Sequence, residues 1–213
     1  MSWLALDASG GRAGLAVLGE DGAVRHRVFA PLRPGLIETL PVLLAEAVAG
    51  ESISNVAVTI GPGSFTGLRT SIALAQGYAA AAGVPLWGVP VEDAYHVPFP
   101  QLHRPLWVVV RARRGRVFVL RDGVATGYAD ADMPGSKIPF ALAGDVAQEM
   151  AARLAARGVD VMLTNAKAID PVWVARAAQA HRNAGLTPKL AQPIYVDPPE
   201  AKLPAAGLRP PPV

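Results

Sequence analysis

The chain has 213 residues, of which 51% are hydrophobic and 17% charged, so it can bury a sizeable core and is not a disordered protein. Its 20 Lys and Arg against 17 Asp and Glu leave a net charge of +3, which is low for a dedicated nucleic-acid-binding protein. The sequence contains no cysteine, which excludes disulfides, thiolate catalysis and cysteine-based metal sites.

Two apolar segments could be mistaken for membrane signals. The opening MSWLAL has no basic region and leads directly into Asp7, so we predict no signal peptide. Residues 70–91 carry no charge, but Gly83 and Pro85 interrupt them and many alanines make them only weakly lipophilic. We therefore expect a cytoplasmic protein without a membrane span.

Hydrophobic patterning predicts the order β-β-β-α-β-α-β for the first half of the chain and a similar β-β-β-α-β order for the second. The similarity lies in the order of the elements and not in the residues. We divide the chain into an N-terminal lobe (1–100), a smaller C-terminal lobe (101–190) and an extended proline-rich tail (191–213). The predicted strands are 3–7, 14–19, 23–30, 55–60, 85–89, 105–113, 116–123, 124–129, 139–145 and 160–164, and the predicted helices are 34–49, 66–82, 146–157 and 171–184.

A glycine-rich loop separates the strand at 55–60 from the helix at 66–82. Gly61, Gly63 and Gly67 are spaced G-x-G-x-x-x-G, one residue too long for the dinucleotide-binding fingerprint. The lysine of a phosphate-binding P-loop is also missing. The loop therefore matches neither of these nucleotide-binding motifs.

Two interpretations of this loop remain open. In the structural one, Pro62 fixes φ, Gly63 takes a positive φ, and Ser64 or Thr66 caps the following helix. In the functional one, the helix N-terminus with its hydroxyls and backbone N–H groups holds an anion. Asp7 and Ser9, at the end of the first strand, are further candidates for such a nucleotide or anion site.

The segments GPGSFTGLR and GVPLWGVPVEDA, joined by an alanine-rich helix, resemble the TsaB (YeaZ) family. LALDASGGRAGLAVL is similar to the opening strand and hairpin of this family, ARRGRVFV to its second hairpin, and PIYVDPPEAKLP to its C-terminal segment. The resemblance thus touches both halves and the tail. It implies an α/β fold of the actin-like or sugar-kinase-like (ribonuclease H-like) class, with two related lobes that each hold a mixed sheet and helices.

The resemblance also implies a function. Members act as non-catalytic scaffold subunits in forming threonylcarbamoyladenosine next to the anticodon of tRNA. The implied partners are a TsaD-like catalytic subunit, a TsaE-like ATPase and a second copy of the chain, with tRNA reached through the complex. Older descriptions call the family glycoprotease-like.

Peptidase activity is the least favoured alternative. A zinc peptidase needs two histidines at helical spacing, and His26, His96, His103 and His181 provide no i, i+4 pair. Many relatives carry a histidine in the first helix where this chain has Gly35. Ser64 lacks a motif that would supply a base and an acid, so we predict no catalytic residue and no metal site.

An actin-fold ATPase or kinase acting through Asp7 and the Gly61–Gly67 loop is the other alternative. In this fold an aspartate at the end of the first strand approaches phosphates and Mg²⁺, but Asp7 can equally cap its own hairpin. Relatives more often have an aspartate where Arg111 stands, and a site without its second carboxylate holds Mg²⁺ poorly. We expect no tightly bound cofactor, with ATP or ADP at a subunit junction in the complex.

The turn between the strands at 105–113 and 116–123 is basic. Arg113 and Arg114 are candidates for contact with tRNA phosphates, since arginine suits phosphate recognition. A solvated turn explains the same residues.

The helices at 34–49 and 66–82 are apolar on more than one face. The apolar surface of the first spans roughly 160°, against the ~100° that packing on one sheet requires. Either the second lobe covers the additional face, or a partner does; we favour a partner, with two helices from each chain forming a four-helix interface. The predicted partner-binding residues are Leu36, Ile37, Leu40, Leu44, Val48, Leu68, Ile72, Leu74 and Tyr78.

Overall fold

The computed structural model describes residues 2–31 and 35–197, and only the backbone of Leu36 and Ile37. The N-terminal half contains β1 (Ser2–Asp7), β2 (Arg12–Gly19), β3 (Val24–Pro31), α1 (Leu36–Val48), β4 (Ile53–Gly61), α2 (Phe65–Ala82), β5 (Leu86–Pro90) and α3 (Val91–His96). The second half contains β6 (Leu106–Arg113), β7 (Arg116–Arg121), β8 (Val124–Ala129), a 3-10 turn (Asp130–Asp132), β9 (Phe140–Ala143), α4 (Ala147–Ala156), β10 (Val161–Leu163) and α5 (Pro171–Asn183).

The ten strands form two five-stranded sheets with the same topology. Sheet 1 has the order β3-β2-β1-β4-β5 and sheet 2 the order β8-β7-β6-β9-β10. In each, the first three strands form an antiparallel meander, and the last two run parallel to the central strand. This repeated order confirms the predicted fold of two related lobes, each with a mixed sheet.

The helices arrange these sheets in layers. Helices α1 and α2 cover one face of sheet 1, and α5 packs against its other face. One continuous apolar cluster joins α5 and α3 to the facing side of sheet 2, whose outer face is covered by α4. The strand β1 shows why the sequence produces this arrangement: Trp3 and Ala5 face α5, while Leu4 and Leu6 face the α1–α2 layer. A strand buried on both faces is apolar throughout.

Two features of this arrangement differ from the sequence prediction. Helix α5, which we assigned to the C-terminal lobe, packs on sheet 1. Helix α3 was not predicted, because six residues are too few for a helical period. Its signals are Pro90 immediately before it and two acidic residues in its first turn, Glu92 and Asp93.

The segment 186–197 forms an arm that connects the two lobes. Its backbone bonds to sheet 1, where Gly88 N–H donates to the Lys189 carbonyl at 3.0 Å and Ile194 N–H donates to the Ile60 carbonyl at 2.7 Å. At its end, Asp197 accepts from Arg116 of β7 at 2.7 and 3.0 Å. The remainder of the predicted tail, 198–213, lies outside the described residues, as does Pro34 at the predicted start of the first helix.

Candidate functional site

Asp7 ends β1 beside the neighbouring strand β4 and is only 3% exposed. Its Oδ1 accepts three hydrogen bonds: from Ser9 Oγ at 2.7 Å, from Ser9 N at 3.1 Å and from Thr59 Oγ1 at 2.7 Å. Burial raises the pKa of Asp7, although these bonds and the charge of Arg12 act in the opposite direction. The carboxylate therefore fixes the β1–β2 turn and joins it to β4.

The glycine-rich loop packs directly on this turn. A Cβ atom on Gly63 would overlap the Ser9 carbonyl oxygen, and Ser64 N–H donates to the same oxygen at 2.7 Å. Ser64 is the N-cap of α2, with its Oγ accepting from Gly67 N at 3.3 Å. The donors of Ser64 and Gly67 are thus used within the protein, which favours the structural interpretation of the loop.

One detail of that interpretation is wrong. The positive φ belongs to Gly61, at +101°, and Gly63 does not share it. Glycine is required at position 63 by the close approach of the β1–β2 turn and at position 61 by the backbone conformation. Thr66 is exposed at the start of α2.

The second lobe has an arginine and an aspartate at the corresponding place. Arg111 Nη1 contacts both carboxylate oxygens of Asp130 at 2.7 and 2.8 Å, and its Nη2 contacts Glu149 at 2.7 Å. Its backbone N–H donates to Asp145 Oδ1 at 2.9 Å. Asp145 lies two residues after the end of β9, and desolvation by the surrounding protein raises its pKa.

Asp145 places a carboxylate beside Arg111, where the sequence indicated only an arginine. The expectation that the site holds Mg²⁺ poorly stays a prediction. Burial is the main cause that raises the pKa of Tyr95, and the charges of Asp7 and Asp145 add to it. The signal for Asp145 in the sequence was the Gly144-Asp145 pair at the end of a predicted strand.

The basic hairpin lies at the β6–β7 turn. Arg113 and Arg114 are both exposed there. Next to them, Arg116 is paired with Asp197 of the arm. The structure thus brings the arm and the hairpin together, which nothing in the sequence suggested.

Four of the predicted partner-binding residues face their own sheet. Leu40, Leu44, Leu68 and Ile72 are between 1% and 8% exposed and pack on sheet 1. Burying each of them contributes roughly 1.5–3 kcal/mol to folding, so they are not available to a partner. Their assignment to a partner-binding surface was wrong.

A different set of residues forms the outer face of the α1–α2 layer. Val48, Leu74 and Tyr78 are half-buried at its border, as is Leu43, while Val42 is 57% exposed. The side chains of Leu36 and Ile37 lie outside the described residues. We call the outer face the helical face; its exposed or half-buried members are Val42, Leu43, Ala45, Val48, Ala73, Leu74, Gly77, Tyr78, Ala80 and Ala81.

A cavity of about 420 Å³ lies where the ends of β4 and β5 meet the β7–β8 turn and the arm. Glu92, which is 6% exposed, lines it and accepts from Gly123 N at 3.0 Å. Burial raises the pKa of Glu92, and the nearby charges of Asp93 and Asp122 add to this. Glu92 therefore links the two lobes through one hydrogen bond.

Two other classes of site are absent from residues 2–31 and 35–197. No helix there is both long and apolar enough to cross a bilayer. Within the same ranges, no three His, Asp or Glu side chains lie together in a way that could hold a metal ion.

Comparison with known proteins identifies the family. The model of a family described as "TsaD: tRNA N6-adenosine threonylcarbamoyltransferase" matches residues 35–162, more than half of the chain. The chain belongs to the TsaD family. The resemblance to TsaB (YeaZ) proteins, which we based on sequence motifs, is confirmed by relatives with those names.

The relatives of the chain within this family match it in part. TsaB of Bacillus subtilis, a tRNA threonylcarbamoyladenosine biosynthesis protein, is 25% identical over 145 residues, which are 66% of this chain and 63% of that protein. An uncharacterized protein of Mycobacterium tuberculosis is 38% identical over 118 residues, 54% of this chain and 53% of that protein. The chain thus spans about half the length of the mycobacterial relatives that it matches.

Solved structures of YeaZ proteins match over a longer range. YeaZ from Pseudomonas aeruginosa superimposes with a TM-score of 0.70 at 20% identity, covering 91% of this chain and 99% of that one. At this identity the likeness shows a common fold.

Proposed function

We propose that this chain is a non-catalytic scaffold subunit of the machinery that forms threonylcarbamoyladenosine next to the anticodon of tRNA. It binds a TsaD-like catalytic subunit through the helical face and supports a TsaE-like ATPase in the same assembly. Membership of the TsaD family and the similarity to TsaB of Bacillus subtilis support the pathway.

The observation that carries the scaffold role is the helical face itself. Its members are alanines, a glycine, aliphatic side chains and Tyr78, and none of them is charged. Small side chains let a second pair of helices approach closely, to axis separations of roughly 8–10 Å. An exposed apolar surface of this kind marks a protein interface. The same face suits a second copy of the chain when the TsaD-like subunit is absent.

The contacts around Asp7 support a structural role over catalysis. Asp7 uses one oxygen for three internal hydrogen bonds, and the loop donors of Ser64 and Gly67 are bound within the protein. The chain therefore works without turning over ATP by itself. ATP or ADP binds at a junction between subunits, where a second chain completes the site.

The actin-fold ATPase remains the alternative because Asp7 ends β1 at the turn on which the Gly61–Gly67 loop packs. Titrating ATP and Mg²⁺ into the isolated chain separates the two functions, since only the ATPase hydrolyses ATP without a partner.

The deciding experiment is co-purification with the TsaD-like subunit of the same organism, followed by a tRNA threonylcarbamoylation assay with and without this chain. A stable complex and modification that depends on the chain are expected. Full modification in its absence contradicts the proposal.

A further inference from the structure

Three side chains form an exposed aromatic cluster at the start of α2: Phe65, Arg69 and Tyr195. The Arg69 guanidinium lies 3.9 Å from the Phe65 ring centroid and donates to Tyr195 Oη at 2.9 and 3.2 Å. The two ring centroids are 6.3 Å apart, with the rings inclined by 44°. Arg69 therefore holds both rings in fixed positions.

Both rings stay open to solvent in this arrangement. Phe65 and Tyr195 are each 56% exposed. Attachment of the arm does not account for them, because the arm is already bound through Ile194 to Ile60 and through the Ala191 carbonyl to Gln76 Nε2 at 2.8 Å. Two rings that are held by Arg69 and stay more than half exposed thus need another explanation.

The cluster lies beside a small pocket that adjoins the basic hairpin. Phe65 and Tyr195 line this pocket of about 170 Å³ together with Ala112 of β6, which precedes Arg113, and its other lining residues are mostly apolar apart from Asp197. Asp197, which also lines this pocket, forms an ion pair with Arg116. The hydrogen bond from Arg116 lowers the pKa of Asp197, and the charge of Arg113 lowers it further.

Exposed aromatic rings beside arginines are the arrangement by which proteins bind single-stranded nucleic acid. The bases stack on the rings and the arginines contact the phosphates. An acidic peptide would use the same arginines but has no need of two exposed rings. The arginines and the rings together favour RNA.

We propose that the aromatic cluster stacks an unpaired base of RNA, while the basic hairpin contacts the phosphates beside it. The inference rests on the proposed function and deepens it, because it assigns this chain a direct contact with an unpaired loop nucleotide of tRNA.

The test uses the full chain, alone and in complex with the TsaD-like subunit. The probe is an anticodon stem-loop RNA with 2-aminopurine in the loop, compared with a fully paired hairpin of the same length. Stacking quenches the 2-aminopurine fluorescence of the loop probe. In the double variant Phe65→Leu/Tyr195→Leu we expect roughly tenfold weaker binding or more, and loss of the quenching.

Two further variants make the test specific. Phe29→Leu is the matched control, because Phe29 is also exposed, at 37%, and also lies under an arginine, with Arg12 at 4.0 Å. Phe29→Leu should leave binding and quenching unchanged. Phe65→Trp keeps a stacking ring and should retain the quenching.

The results that overturn the inference are distinct. Stacking is excluded if the double leucine variant binds the loop probe as the wild type does. It is also excluded if the wild type binds the loop and paired probes equally, or if neither the chain nor the complex binds the loop probe. If the double variant loses the TsaD-like subunit but keeps the RNA signal, the cluster binds protein and the inference is wrong. If the chain quenches the 2-aminopurine fluorescence but tRNA threonylcarbamoylation does not depend on the chain, the inference holds and the proposed function is wrong.

Discussion

The backbone carbonyl oxygen of Ala8 lies so close to Gly67 that a Cβ atom at position 67 would overlap it. Gly67 lies within α2, so its backbone conformation does not require glycine. The requirement comes from the contact between the helix and the β1–β2 turn, the same turn that Asp7 holds together.

We predict that Gly67→Ala lowers the free energy of unfolding by about 1–3 kcal/mol, since the added methyl group forces the turn away from the helix. Gly77→Ala is the control on the same helix, because Gly77 is exposed and a Cβ there meets nothing within 4 Å. It should stabilise the chain by roughly 0.5–1 kcal/mol. Urea denaturation of the isolated chain measures the free energy of unfolding of both variants. Equal effects of the two substitutions would contradict the close contact between Gly67 and the Ala8 carbonyl oxygen.

Asp7→Ala should also destabilise the isolated chain, by roughly 1–3 kcal/mol, because the hydroxyls of Ser9 and Thr59 lose their acceptor. Asp7→Asn keeps an accepting oxygen and should cost less. Thermal unfolding ranks the two variants. If both unfold as the wild type does, and purified chain hydrolyses ATP in a way that Asp7→Asn abolishes, then Asp7 serves catalysis and the ATPase alternative is correct.

Glu92→Gln should change stability in a pH-dependent way. Burial raises the pKa of Glu92 in the folded state, so its contribution is full below the unfolded pKa and declines as the pH rises through the folded pKa. Glutamine can still accept from Gly123 N and carries no charge. The Tm of the variant minus that of the wild type should therefore be larger near pH 7 than near pH 4.

Glu20→Gln provides a control with the opposite sign. A hydrogen bond from Arg182 lowers the pKa of Glu20, so its contribution is present above the unfolded pKa and is lost as the pH falls through the folded pKa. Glu20→Gln should thus reduce Tm at neutral pH and have little effect in acid. Tm curves that move in the same direction for both variants would show that burial of Glu92 is not the cause.

Ala73→Glu/Ala80→Glu tests the helical face. Both alanines are exposed, so the double variant should fold with a free energy of unfolding within about 0.5 kcal/mol of the wild type for each change. It should lose co-purification with the TsaD-like subunit and self-association in sedimentation, since four-helix packing has no room for buried carboxylates. Ala152→Glu, at an exposed position of α4 on the other side of the molecule, should keep both. Retention of both partners by the double variant would place the interface elsewhere.

The sequence predicted most strands of both lobes because they are apolar runs bounded by turn residues, and β3 because apolar and charged residues alternate along it. It also predicted Ser64 as a candidate cap of α2. It did not show which stripe of an apolar helix faces the sheet: on α1, Leu40 and Leu44 face inward and Val42 outward, although all three are aliphatic. Hydrophobicity gives the width of an apolar surface, and the position of the sheet decides which part is covered.

Contacts between distant segments could not be predicted from one sequence. Arg69 and Tyr195 are 126 residues apart, and only the path of the arm brings them together. Asp145 was missed for another reason. The sequence indicated only an arginine at position 111 of β6, whereas the loop after β9 brings Asp145 within hydrogen-bonding distance of its backbone N–H.

The arm also has a mechanical consequence. Two-lobed proteins that close around a ligand rotate one lobe against the other about a hinge, which requires the linking segments to yield. Here one stretch of chain is bonded to Ile60 and Gly88 of sheet 1 and to Arg116 of sheet 2. A rotation of one lobe against the other would therefore have to break the bonds at one end of the arm.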